Sequence, residues 1–164
     1  MNKLFKFAAA SAVGVAVAAS ASSAFATDET GNASAQIQQA ISIVENTPMD
    51  FGNVAVDGSG GTVTISTAGA VTGPAGYSFS GSPAAGNFTA SGDASTAVTI
   101  SFTAGTLTGP GTAMTINNFT NDAGGTPTTD GAGDLAFNVG ADLVVNAAQA
   151  SGAYAGTYTV TVNY

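Results

Sequence analysis

The sequence predicts an all-β protein, an antiparallel sandwich of about eight to ten short strands, and three observations carry that prediction. Short Val, Ile, Thr and Phe runs recur with apolar and polar residues alternating, the period at which a strand puts one face into a core and the other into water. The chain's 22 glycines, with Pro, Asn and Asp, punctuate those runs at close intervals, as turns between strands require. Helix signals are nearly absent beyond residue 26.

Taken in order, residues 1–26 read as an export signal. Lys3 and Lys6 form its positive start, residues 4–19 a small apolar stretch, and Ala24-Phe25-Ala26 the peptidase site. The stretch is dominated by Ala and is followed by Ser rather than a basic cluster, which argues against a membrane anchor. No later segment is apolar for long enough to span a bilayer. Residues 27–164 are then expected to form one β-sandwich domain that opens on an N-terminal strand over 34–45. There Ala35, Ile37, Ile41 and Ile43 fall on one face, with Gln39 as the one interruption. The Gln and Ala content also allows a helix over 33–45; the alternation favours the strand. Further strands are expected over 51–56, 62–67, 77–80, 87–90, 97–104, 113–119, 135–139, 142–147 and 153–164. In the run from Val98 to Phe102, Val98, Ile100 and Phe102 face inward and Thr99 and Ser101 outward. The last segment has the clearest pattern: Tyr154, Tyr158, Val160, Val162 and Tyr164 share a face with Gly156.

Charge narrows the chemistry. Lys3 and Lys6 are the only basic residues, His and Cys are absent, and all ten acidic residues lie from Asp28 onward. Residues 27–164 therefore have no cationic side chain to pair with a carboxylate, so stability must come from apolar burial and backbone hydrogen bonds. Disulfides cannot form, and the usual ligands of zinc, copper and haem are missing. A Ser or Thr nucleophile has no His or Lys base, and without Lys neither Schiff bases nor Lys–Asn cross-links can arise. Carboxylates scattered over turns, with no Trp platform, do not suit glycoside hydrolysis. The net negative charge argues against nucleic-acid binding, which draws much of its affinity from Lys and Arg contacts. The expectation is a non-enzymatic chain without a cofactor. Asp122, Asp130 and Asp134 lie in a Gly-rich stretch and are weak candidates for calcium; ordinary turn chemistry explains them as well. The alternating Thr residues lack the fixed period of an ice-binding array and fit the solvent face of exposed strands.

Several stretches resemble the exported bacterial domain-of-unknown-function family numbered 4402. They are Asp50-Phe51-Gly52-Asn53-Val54, Gly61-Thr62-Val63-Thr64-Ile65, Phe137-Asn138-Val139-Gly140-Ala141-Asp142-Leu143 and, most specifically, the run from Gly152 to Tyr164. The Phe-Gly pair and the closing Gly-x-Tyr-x-Gly-x-Tyr-x-Val-x-Val-x-Tyr are also similar to chaperone–usher pilin and spore-coat U-type domains. That wider resemblance implies an immunoglobulin-like sandwich completed by a donor strand from another subunit. It assigns Ile37, Ile41 and Ile43 to the donor, and Tyr154, Tyr158, Val160, Val162 and Tyr164 to a final strand that serves assembly and pairs with a chaperone beforehand. It also implies a periplasmic chaperone and an outer-membrane usher as partners, with passage through the periplasm to the cell surface. The Cys pair common in such pilins is missing here, and residues 27–33 are short for a free arm. Two readings of the 34–45 strand stay open: it is the donor, or it belongs to a self-sufficient domain. The corresponding functions are a pilin-like structural subunit that self-associates by strand addition and a monomeric extracellular binding or matrix module with a calcium or carbohydrate ligand.

Overall fold

The computed structural model describes residues 27–164, so the predicted export signal at 1–26 lies outside the described residues. Residues 27–35, taken by themselves, are exposed and carry no regular structure; the β-domain comprises Gln36–Tyr164. It contains ten strands and, among the described residues, no helix: β1 (Ser42–Thr47), β2 (Asn53–Ala55), β3 (Gly61–Ile65), β4 (Val71–Thr72), β5 (Ser78–Ser80), β6 (Gly86–Ser91), β7 (Thr99–Thr108), β8 (Met114–Asn121), β9 (Asp134–Val145) and β10 (Ala155–Asn163). No helix of the described residues is long and apolar enough to cross a membrane.

All pairings are antiparallel, and the main sheet runs β1-β6-β9-β8-β7-β10, with β3 on β9 and β4 on β3. A separate ladder joins β2 to β5. The sheet doubles into two layers at the β7–β8 hairpin. Their ladder covers only Gly105–Leu107 against Met114–Ile116; beyond it β7 pairs with β10 and β8 with β9. A bulge on β7, opposite Thr157 and Thr159, provides the bend, as an extra residue does in a strand. It also reverses the inward face of β7, from Ile100 and Phe102 before it to Gly105 and Leu107 after it. The sandwich is β1-β6-β9-β8 on one side and β7-β10 on the other.

Two expectations change in detail. The strand predicted over 34–45 begins only at Ser42, because residues 36–41 lack a neighbouring strand to pair with. The strands predicted over 135–139 and 142–147 are one twelve-residue strand, β9. Gly140 does not break β9. It marks the point where the partner on one edge changes from β6, opposite residues 134–139, to β3, opposite 141–145. A Cβ at Gly140 would strike the carbonyl of Ile65, which is why the crossing needs glycine there.

Two clusters form the core. The first holds Val63 and Ile65, both 0 % exposed, with Phe51, Ile116, Leu143 and Val145. The second holds Phe88, Val98, Phe137, Val139 and Val162. Met49 and Phe119 touch both. Phe119 reaches that position from a bulge on β8 where Asn118 takes a left-handed backbone, φ 50°, and gives its amide to Asp142 Oδ2 at 3.0 Å; Asn tolerates this region better than most residues.

Candidate strand-addition site

The two ends of the rolled sheet, β1 and β10, form the site. Each is hydrogen-bonded to one neighbour only, β1 to β6 and β10 to β7, and no ladder joins them among the described residues. Their side chains nonetheless pack on one core cluster, Ile43 from β1 and Tyr158 and Val160 from β10. The Tyr158 ring of β10 stacks on Phe119 of β8 with centroids 5.0 Å apart and stands edge-on to Phe88 of β6 at 6.3 Å. Such arrangements are favourable for aromatic pairs.

The edge strand β1 is pinned by a relay of amides. Asn46 lies at its bulge and donates to Asn87 Oδ1 and Thr89 Oγ1, both at 2.9 Å. Asn87 donates to Asn138 Oδ1 at 2.7 Å, and Asn138 in turn donates to both carboxylate oxygens of Asp122. The outer face of β1, β6 and β9 is thereby linked to the residue that follows β8 without a single ion pair.

Of the five residues singled out on β10 and its flanks, the structure brings three together and sends two to opposite ends. Tyr158, Val160 and Val162 belong to the second cluster. Tyr154 packs on the first; its hydroxyl donates to Ala150 O at 2.8 Å and accepts from Gly111 N–H at 2.8 Å, tying two turns together. Tyr164, 40 % exposed, closes the other end: its hydroxyl donates to Gln39 O at 2.8 Å and accepts the Asp93 N–H at 2.6 Å. Asp93 Oδ1 in turn accepts the Gln39 N–H at 2.9 Å. Gly156 of the closing motif serves close approach, since a Cβ there would strike Thr106 O, and Gly105 facing it on β7 does the same, since a Cβ there would strike Thr157 O.

Ile41 and Ile43 pack half-buried against the domain's own second cluster, whereas Ile37 is 95 % exposed. The three therefore do not share one environment: Ile41 and Ile43 line the domain's own core, and Ile37 stands in solvent. Sequence reasoning missed Glu45, Asp93 and Gln39. Gln39 carried a signal, the break in an apolar alternation.

The opening is apolar and incompletely covered. Ile41, Ile43, Ile100, Phe102, Tyr158 and Val160 all face the second cluster, yet none is buried. The Tyr158 hydroxyl has no hydrogen-bond partner although it is shielded from solvent. Its phenol is pushed up to about 12, first by burial and then by the carboxylate of Glu45 on β1, since both disfavour phenolate.

The three candidate calcium ligands do not converge. Asp130 Oδ1 accepts the N–H groups of Ala132 and Asp134, Asp134 Oδ1 accepts the Ser91 hydroxyl at 2.6 Å, and Asp122 holds Asn138. No group of three or more metal-ligating His, Cys, Asp or Glu side chains exists among the described residues. The Asp130 carboxyl lies below its ordinary value, chiefly through the Asp134 and then the Ala132 backbone donors. This is turn chemistry of the kind Asp and Gly provide.

The layer order defines the class of protein. A complete seven-stranded immunoglobulin-type sandwich has one sheet of strands A, B, E and D and another of C, F and G. Here β1-β6-β9-β8 takes the places of A-B-E-D and β7-β10 those of C-F, and among the described residues no strand stands in the G position beside β10. The chain belongs to the family described as Domain of unknown function (DUF4402), whose model matches residues 41–164. That match begins one residue before β1. No curated protein and no solved structure gives a significant match.

Proposed function

We propose that this protein is an exported, non-enzymatic structural subunit, pilin-like, that self-associates at the cell surface by adding a strand to the opening between β1 and β10. The observation that carries the reading is the half-exposed apolar row beside two unpaired strand edges. An unpaired edge is a template for pairing with another chain, and strand addition supplies main-chain hydrogen bonds together with pockets for alternate side chains. Residues 27–38 are the segment available to act as donor, since Gln39 is held by its own domain and strand pairing begins at Ser42. Their alternating Ala33, Ala35 and Ile37 present small and apolar groups at period two. Support for a non-enzymatic role is compositional: no His, and no Lys after Lys6.

The purified chain 27–164 is expected to form multimers that survive SDS and dissociate on heating. Deleting residues 27–38 should abolish them and leave a folded domain. Adding that segment back as a peptide at about 100 times its Kd should stabilise the shortened domain by about 2.7 kcal/mol, seen as a rise in Tm. Multimers unaffected by the deletion would sink the proposal.

A further inference from the structure

Gln39, Asp93 and Tyr164 form a latch, and we infer that it directs the N-terminal arm away from the domain's own opening. The inference rests on the strand-addition reading above. An arm that can fill a neighbour's opening can in principle fill its own, which would end assembly at the monomer. For self-insertion the chain must reverse just before β1, so that residues 27–36 come back alongside it as a hairpin. The turn of that hairpin would fall at about residues 37–40.

The latch occupies that turn. Ser42 pairs with Ser91 on β6, Ile41 lies against Gly92, and both backbone groups of Gln39 are then taken, its N–H by Asp93 Oδ1 and its C=O by the Tyr164 hydroxyl. Residues 39–41 thus continue the line of β1 past the end of β6, held by side chains where the ladder has stopped. The Tyr164 hydroxyl is fixed in turn by the Asp93 N–H. Gly92 is required beneath it, because a Cβ there would strike the Tyr164 hydroxyl. A reversal at 37–40 has to break two charge-assisted or neutral hydrogen bonds and lift the chain off Tyr164. Adding the arm to another copy leaves the latch intact. Gln39 stands where the apolar alternation fails because this residue is held by its backbone, so its side chain carries no packing role.

The test compares the chain 27–164 with its Tyr164→Phe variant, which loses both hydroxyl bonds, and with Asp93→Ala, which loses the carboxylate alone and guards against misfolding in the first. Multimer yield is read by size-exclusion chromatography and amide exchange of residues 28–36 in the monomer fraction by mass spectrometry. The expected result is at least a fivefold fall in multimer yield for Tyr164→Phe, with arm amides in its monomer protected about tenfold or more. Asp93→Ala should shift the same way by less. If the unaltered chain multimerises and both variants match it, the latch has no directing role. Loss of multimers with an arm that stays unprotected also overturns it, because the arm has not gone into its own opening. No multimers from the unaltered chain at any concentration would instead remove the strand-addition reading itself.

Discussion

The two halves of the sandwich share strands β8 and β9 and differ in how they are covered. Around the first cluster, β3, β4 and the β2–β5 ladder close over β9; Val63 and Ile65 are 0 % exposed. Around the second, the strands laid over the core are β10 and β7, joined by Ile43 of β1 and by Ile41, Val98 and Ala123 from connecting segments, and Ile100, Phe102 and Val160 stay half-buried, as Val71 and Phe79 do around the first. The amino acids are of the same kinds in both halves. What differs is the number of strands laid over them, so incompleteness is a property of topology rather than of composition. A core that is finished at one end can fold without help, and it can hold the other end open for a partner.

The largest expected effect separates the halves by substitution. Ile65→Ala should cost about 2–5 kcal/mol of stability, the range for emptying a packed site. Ile100→Ala should cost under about 2 kcal/mol in the monomer, because water already reaches that site and little cavity is created. The order reverses in assembly: Ile100→Ala should lower the heat needed to dissociate multimers, while Ile65→Ala multimers should dissociate as the unaltered ones do once folded. Denaturant unfolding and SDS gels at graded temperature measure the two quantities. Equal costs at both sites in the monomer would mean that the second half is as closed as the first.

This division was only partly legible in the sequence. Period-two alternation located most strands, and the inward faces of β7 and β10 follow from it, because burial on one face of a pleated strand writes itself directly into residue type. The long β9 was read as two strands because Gly140 looks like punctuation; its glycine serves a close approach of backbones, which residue type alone does not distinguish from a turn. The bulges on β1, β7 and β8 shift register by one residue through contacts with other strands, so no local pattern announces them. Ile41 and Ile43 read equally well as donor or core, since both sites ask for an apolar residue at period two. The latch depends on Gln39 backbone groups and a tyrosine hydroxyl far apart in the chain, and only folding brings them together.

A smaller effect sharpens the comparison from the open half. Tyr158 titrates at about 12 rather than at 10.0, its burial and Glu45 both favouring the neutral phenol. Its folded value lies above the unfolded one, so the stability it contributes is fully present below about pH 10 and is lost as pH rises through about 12. A strand laid between β1 and β10 would replace the water around the half-buried ring with protein and lower the polarity that this phenol experiences. Ultraviolet difference titration of multimers should therefore place it higher still than in monomers. Glu45→Gln should move the monomer value down by less than the burial contribution does. A downward move on assembly would break the account of what fills the opening.

The smallest effect concerns the support beneath that opening. The Asp130 turn carries the β6–β7 connection: Ser95 N–H donates to Asp130 O at 2.8 Å and Gly92 N–H to Gly133 O at 2.9 Å. Gly92 and Asp93 are the residues on which Tyr164 rests. Because the Asp130 carboxyl lies below its ordinary value of 3.8, its contribution is present above that value and lost as pH falls through the lowered one. Amide protection at Gly92 and Ser95, corrected for the intrinsic exchange rate, should decline over that window while protection at Val63 and Ile65 does not. Asp130→Asn at neutral pH should reproduce a fraction of the same local loss, since an amide oxygen keeps the turn's acceptor but not its charge. Uniform loss across both halves would mean that the turn stabilises the whole sandwich, and the open end would then have no separately adjustable support.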